Sequence, residues 1–293
     1  MKEITNFRFR IARICRISYF RKIPVLPLLF LTLLVITSAF PSYLAPHDPN
    51  EQSLGRRFLP PCWQEGGNKN YYFGTDNLGR DLLSRMIYGS RVSLLVALLS
   101  LILGGLIGTT VGLISGFYGG RTDTILMRLA DSTMAFPIIL FAFLMSVSLG
   151  PSMKTVVIAV GIVIWARFAR IIRGEVLSLK ERDFIKLARV AGCSTFRIIV
   201  AHIFPNVVNT LVVLLTLQVG WVIIVEASLS FLGAGIPLPT AAWGSMIAEG
   251  RQYIVRAWWV ITIPGAFLML TVLSFNWLGD WLRDLLDPKL RPL

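Results

Sequence analysis

Six stretches of the chain are almost continuously apolar, at about 23–45, 92–117, 133–149, 155–166, 207–232 and 257–278. Polar or Gly- and Pro-rich segments separate them. About 20 apolar residues suffice for a helix to cross a bilayer core ~30 Å thick. The fourth stretch runs into Arg167, Arg170 and Arg173 at every third residue. Long cationic side chains can snorkel to the interface, so this helix is expected to continue through them. Pro137 stands near the start of the third stretch, and Gly150-Pro151 turns the chain after it. Gly104, Gly108, Gly112 and Gly116 fall four apart, a ridge of small residues on which another helix can pack closely. The pattern predicts an all-α polytopic membrane protein with six transmembrane helices.

The polar segments divide into two kinds. Pro46 to Arg91 is rich in Pro, Gly and Asn, and Gly74–Arg85 within it reads as a turn followed by a helix start with Leu82, Leu83, Met86 and Ile87 on one face. Asp76, Asn77 and Asp81 raise the question of calcium, but D-x-[DN]-x-[DN]-G is not met, so a hydrogen-bonded turn and helix cap is expected. Gly119-Gly120 marks a turn, and Arg128 and Asp131 are spaced to pair along a helix. Gly233 to Arg256 is a second loop segment, with Pro237, Pro239 and Trp243-Gly244.

The segment 178–206 is different: polar, basic and periodic. Ser178 and Glu181 have capping-box spacing, so a helix is expected to start there. Phe184, Leu187, Ala188 and Ala191 then share one helical face, and Gly192 is placed to end the helix in left-handed geometry. Ser194 or Thr195 can cap a second helix with a stripe of Phe196, Ile199, Val200 and Ile203, closed by Pro205. Neither helix is long enough to cross a membrane. Two readings stay open: a helix pair lying on the lipid surface, which periodicity alone favours, or a docking element for a soluble partner.

Charge gives the orientation. Only 15% of the 293 residues are charged and 55% are hydrophobic, yet the net charge is +13. In a soluble chain that excess would suggest nucleic acid; here cytoplasmic loops rich in Lys and Arg account for it. With six spans, 20 of the 29 Lys and Arg fall on the side that carries both termini and segment 178–206. That side is expected to be cytoplasmic. Cys15, Cys62 and Cys193 form no C-x-x-C, and His47 and His202 have no ligand-spaced neighbours, so metal chemistry is not indicated. The chain holds no G-x-x-x-x-G-K-[ST] loop for ATP. Glu226 lies well inside the fifth apolar stretch. It faces either the bundle interior as a structural hydrogen-bonding group or a water-filled path.

Several stretches carry a resemblance to a known family: FGTDNLGRDLLSR, IYGSRVSLLV, the AFP at Pro137, ERDF followed by the HIFPN segment, EASLSFLGAG, WGSMIAEGR and FNWLGDWLRDLLDPKLR, in that order. From about residue 70 onward the chain resembles the permease subunits of ABC importers of the dipeptide/oligopeptide/nickel family, and in particular the C-type member of their paired permeases. The resemblance implies the type I ABC importer permease fold, with 1–90 as cytoplasmic segment, anchor helix and external loop, 91–280 as permease core and 281–293 as cytoplasmic tail. It implies a bacterial inner-membrane protein that forms, with a homologous partner permease, a path for peptides delivered by an external substrate-binding protein. Two separate ATPase subunits would bind ATP and Mg; this chain would bind no cofactor and would not be an enzyme. Segment 178–206 would be the coupling segment, with Phe184, Lys186, Leu187, Ala188 and Gly192 as its ATPase-coupling residues. The Glu-Ala-Ala of the family motif falls on Lys186-Leu187-Ala188, so only Ala188 and Gly192 keep the pattern. Glu226 would belong to the translocation path or its gate. Nickel chelates and glutathione are alternative cargoes of the same architecture. An ion-driven secondary transporter or a membrane enzyme using Glu226 as a base would require further buried ionisable groups, which the sequence does not supply.

Overall fold

A computed structural model describes residues 23–286. The basic segment before them, Cys15 and the last seven residues of the tail lie outside the described residues. The described residues are helical apart from turns, loops and one isolated bridge, Thr75 to Asp81. In chain order the helices are α1 (Val25–Ala39), α2 (Pro41–Leu44), α3 (Leu82–Tyr118), α4 (Gly120–Ala135), α5 (Ile138–Leu149), α6 (Met153–Leu179), α7 (Asp183–Val190), α8 (Thr195–Phe231), α9 (Trp243–Gly250) and α10 (Trp259–Leu286).

Four of these, α3, α6, α8 and α10, are long and apolar enough to cross a membrane. The expectation of six full spans needs two corrections. The third stretch is not one helix: α4 and α5 meet at an 83° bend and pass as a span only together. Pro137 is the cause, because it pushes Phe136 into extended geometry and ends α4 before it. The first stretch yields a helix of 15 residues, ~22 Å long at 1.5 Å per residue, broken before Pro41. Conversely α3 extends ten residues before the predicted start of its span, because Asp81 caps it by accepting from the Ser84 amide at 2.9 Å.

The centre of the bundle is the pair α3 and α6. Gly104, Gly108, Gly112 and Gly116 meet α6 directly: a Cβ on Gly108 would stand 2.3 Å from the Trp165 carbonyl oxygen, and one on Gly116 2.7 Å from Val176 Cβ. Only glycine permits that approach. α8 completes the core with Leu214, Val222, Ile223 and Leu229 clustered with Val96, Val160 and Ile164, and α10 packs Leu268, Val272 and Phe275 against it. α1 joins from the side, with Leu31 and Leu34 packed in a cluster with Leu82, Met86 and Trp243.

α6 does run through its arginines, and each has a side-chain partner. Arg167 donates to Gln218 of α8 at 3.3 Å, Arg170 pairs with Asp131 of α4, and Arg173 pairs with Asp123 of α4. Asp131 therefore takes Arg170 rather than the expected Arg128.

Candidate functional site: segment 178–206 and the opposite end of the bundle

Ser178 does not begin a new helix. It lies inside α6, because Ile172, Val176 and Leu179 form one buried stripe that holds the last turn in place. α7 starts only at Asp183, with no side-chain cap at Arg182. Its inward face is Ile185 and Ala188, packed in a cluster with Ile172, Val176, Leu179, Ile198 and Ile203. The predicted face of Phe184, Leu187, Ala188 and Ala191 is thus split. Ala188 points into the bundle, whereas Phe184 and Ala191 are exposed and Leu187 is 67% exposed. Val190, at 87%, and Phe196, at 76%, extend this outward apolar surface. Lys186 is exposed, with its ammonium 3.8 Å from Asp183.

Gly192 behaves as its position suggested. Its φ is +77°, its amide donates to Arg189 O at 3.0 Å, and the Cys193 amide donates to Ala188 O at 3.1 Å. These two bonds are the Schellman closure of α7. A Cβ at Gly192 would meet nothing within 4 Å, so the backbone angle alone selects glycine. Ser194 then caps the next helix by accepting from the Arg197 amide at 3.4 Å. That helix does not close at Pro205. Within α8 a π-helical stretch, Ile198–Ile203, runs through His202, and the α-helical part takes over at Phe204 and passes Pro205 without a stop. The wider hydrogen-bond register there and the position of Pro205 in the first turn of the α-helical part spare the missing proline amide.

Glu226 is fully buried between α8 and α3. Its carboxylate accepts from Ser93 Oγ of α3 at 2.9 Å and from Ser230 Oγ, one turn along α8, at 2.8 Å.

The opposite end of the bundle carries a polar cluster that the sequence did not disclose. Asp76 accepts from Arg80 Nε at 2.7 Å and from Arg85, and Glu249 of α9 accepts from Arg80 Nη2 at 3.0 Å and Arg85 Nη1 at 2.9 Å. Asp76 and Asp81 sit in the turn-and-cap arrangement that their spacing implied. His47 Nδ1 lies 3.6 Å from Asp81 Oδ2. Among the described residues no group of His, Cys, Asp and Glu is arranged to hold a metal ion. The missed partner is Glu249, 164 residues from Arg85, and no local pattern points to it.

The family described as "Binding-protein-dependent transport system inner membrane component" matches residues 108–292. The chain is 42% identical over 264 residues to the di/tripeptide transport system permease protein DppC of Pseudomonas aeruginosa (strain UCBPP-PA14), covering 90% of this chain and 87% of that protein. It is 38% identical over 270 residues to the oligopeptide transport system permease protein OppC of Bacillus subtilis (strain 168), covering 92% and 87%. Among solved structures, an inward-facing MetNI methionine ABC transporter chain matches with TM-score 0.59 and 16% identity, over 70% of this chain and 98% of that one. At that identity the likeness speaks for the fold, which is that of type I ABC importer permeases.

Proposed function

The chain belongs to the family of binding-protein-dependent transport system inner membrane components, the permeases of ABC importers, and from that premise we propose that its cargo is peptides. With a homologous partner permease it lines a path for di- or oligopeptides handed over by an external substrate-binding protein. Two ATPase subunits, holding ATP and Mg, drive the path between inward- and outward-facing states. Nucleotide must bind those states with different affinity for this to work. The names of the relatives support the peptide cargo.

One observation carries the coupling part of this reading. α7 is anchored by Ile185 and Ala188 and turns Phe184, Leu187 and Val190 away from the protein. An apolar surface left open on an anchored helix marks an interaction site. In this reading Phe184, Leu187 and Lys186 contact an ATPase subunit, Ala188 supports them from behind, and Gly192 fixes the return of the chain to the membrane. The excess of Lys and Arg on this side supports a cytoplasmic location for the segment and for both termini. Glu226 enters as the group that ties α8 to α3 beside the path and its gate. The test is uptake by the complete complex in liposomes, with labelled di- and oligopeptides, a nickel chelate and glutathione offered in parallel. ATP-dependent uptake of the peptides alone is expected. Uptake of nickel chelate or glutathione without peptide uptake would overturn the assignment.

A further inference from the structure

α4 is strapped to α6 at the level where α6 also carries the coupling segment. Arg173 Nε and Nη2 donate to the two carboxylate oxygens of Asp123 at 2.5 and 2.6 Å. Such a two-point fork fixes orientation as well as distance. Ser115 of α3 donates to the same carboxylate. Lys180, just past α6, donates to the Gly116 carbonyl of α3 at 3.1 Å. Two turns further along α4, Asp131 takes Arg170, and next to that pair the buried Ala130 packs in a cluster with Trp165, Ala166 and Ala169.

The same part of α6 grips α7. Ile172, Val176 and Leu179, which flank Arg173 in sequence, share a cluster with Ile185 and Ala188. Arg189 of α7 adds a second tie, its guanidinium carbon 5.5 Å from the Phe117 ring centre at the end of α3. At its other end α4 stops at Ala135, and the chain bends by 83° at Phe136-Pro137 into α5. α5 turns Leu140, Phe143, Leu144 and Val147 outward. An elbow thus has one arm strapped to the helix that carries α7, while the other arm is seated on the core through Ala142 and through Ser146, which donates to the Ala234 carbonyl.

We propose that Asp123 is a positioning residue for coupling: through its fork with Arg173, displacement of α7 by an ATPase subunit is passed to α4 and, across Phe136-Pro137, to α5 and the core contacts it makes at Ala142 and Ser146. This rests on the coupling reading given above. The pair is only partly buried, with Arg173 31% and Asp123 17% exposed. When the pair is lost, Asp131 with Arg170 and the Ala130 cluster still hold α4 on α6, so the fold is spared and the transmission slackens.

The experiment uses the complete complex in liposomes and reads three quantities: ATPase-subunit copurification, ATP hydrolysis and peptide transport. For Asp123→Asn, copurification and hydrolysis stay as in the native complex, while transport per ATP falls by about tenfold, an ordinary size for coupling between sites. Arg173→Lys keeps the charge and loses the fork, so it shows a smaller fall in the same direction. Exchanging the pair, Asp123→Arg with Arg173→Asp, restores part of the ratio. If Asp123→Asn fails to insert, Arg173→Lys carries the test alone. Unchanged transport per ATP in the variants that insert would overturn the proposal. So would loss of copurification, because the pair would then shape the docking face rather than transmit from it. Failure of the coupling reading shows elsewhere, as copurification that survives Leu187→Asp in an otherwise native chain.

Discussion

The two ends of the bundle are built on opposite terms. At one end Asp76, Arg80, Arg85 and Glu249 meet within a few ångströms, two charges of each sign and little exposed. Trp243 and Trp259 donate from there to the Met86 and Thr75 carbonyl oxygens at 3.0 and 3.2 Å. At the other end Phe184, Leu187, Val190 and Phe196 face outward with nothing over them among the described residues. Buried charges are tolerable only when each meets its opposite inside the same structure. Exposed apolar side chains cost little one by one, but together they describe a surface lacking its cover. The first end is completed by the chain itself; on the coupling reading proposed above, the second is completed by another protein.

The comparison breaks most visibly at the ion cluster. Glu249→Ala leaves two buried guanidinium groups sharing Asp76 alone. Arg85 already has Nε and Nη2 without hydrogen-bond partners among the described residues, so nothing nearby compensates. Breaking one side of a buried pair costs ~3–5 kcal/mol. The expected outcome is a marked drop in membrane yield and in the thermal midpoint of the solubilised protein. A native midpoint would show that this end is not held by its charges.

Leu187→Asp tests the other side of the comparison. Leu187 is outward-facing, so the change moves stability by less than ~0.5 kcal/mol. ATPase copurification and transport should both be lost while the permease stays in the membrane. Ile185→Asp and Ala188→Asp serve as the contrast, because both place a charge in the cluster behind the surface and should lower stability first.

The difference between the ends also explains what could be read in advance. The glycine ridge was legible because a period of four lies on one helix and needs no knowledge of its neighbour. The Gly192 closure was legible because a Schellman turn is made within six residues. The ion cluster was not: its halves are far apart in sequence, and Asp76, Arg80 and Glu249 each look like ordinary loop charges. The inward face of α7 was half legible. Eight residues make little more than two turns, so Ile185 and Ala191 compete for the stripe, and only the packing of α6 decides for Ile185. The elbow at Pro137 was hidden by composition, since the apolar run 138–149 reads as part of a straight span until the bend is seen.

Gly192→Val sharpens the contrast at the inner end. The site has open space around it, so the only penalty is a β-branched residue at φ +77°, about 1–3 kcal/mol. This is small beside the packing of the bundle and comparable to coupling between sites. Insertion should be native, while transport falls through weaker ATPase binding or uncoupled hydrolysis. Gly192→Ala, strained less, should fall between native and Val. Equal transport in all three would mean that the angle at this turn does not matter for coupling.

The smallest effect is expected at Glu226, which lies in the interior between the two ends and shows how far the self-completed kind of structure extends. Its carboxylate only accepts, from Ser93 and Ser230. In Glu226→Gln the amide oxygen accepts from one serine, and the amide NH2 donates to the other, whose hydroxyl rotates to receive it. The tie from α8 to Ser93 of α3 and the bond to Ser230 within α8 both survive without the charge, so stability should change by less than ~1 kcal/mol and transport should stay near native. Glu226→Ala removes both ties and should cost ~1–3 kcal/mol, because two buried hydroxyls lose their acceptor. Thermal midpoints and liposome uptake measured on both variants separate the possibilities. A loss of transport in Glu226→Gln at native stability would mean that the negative charge itself acts during transport, and that Glu226 belongs to the path rather than to the packing that closes off the outer end.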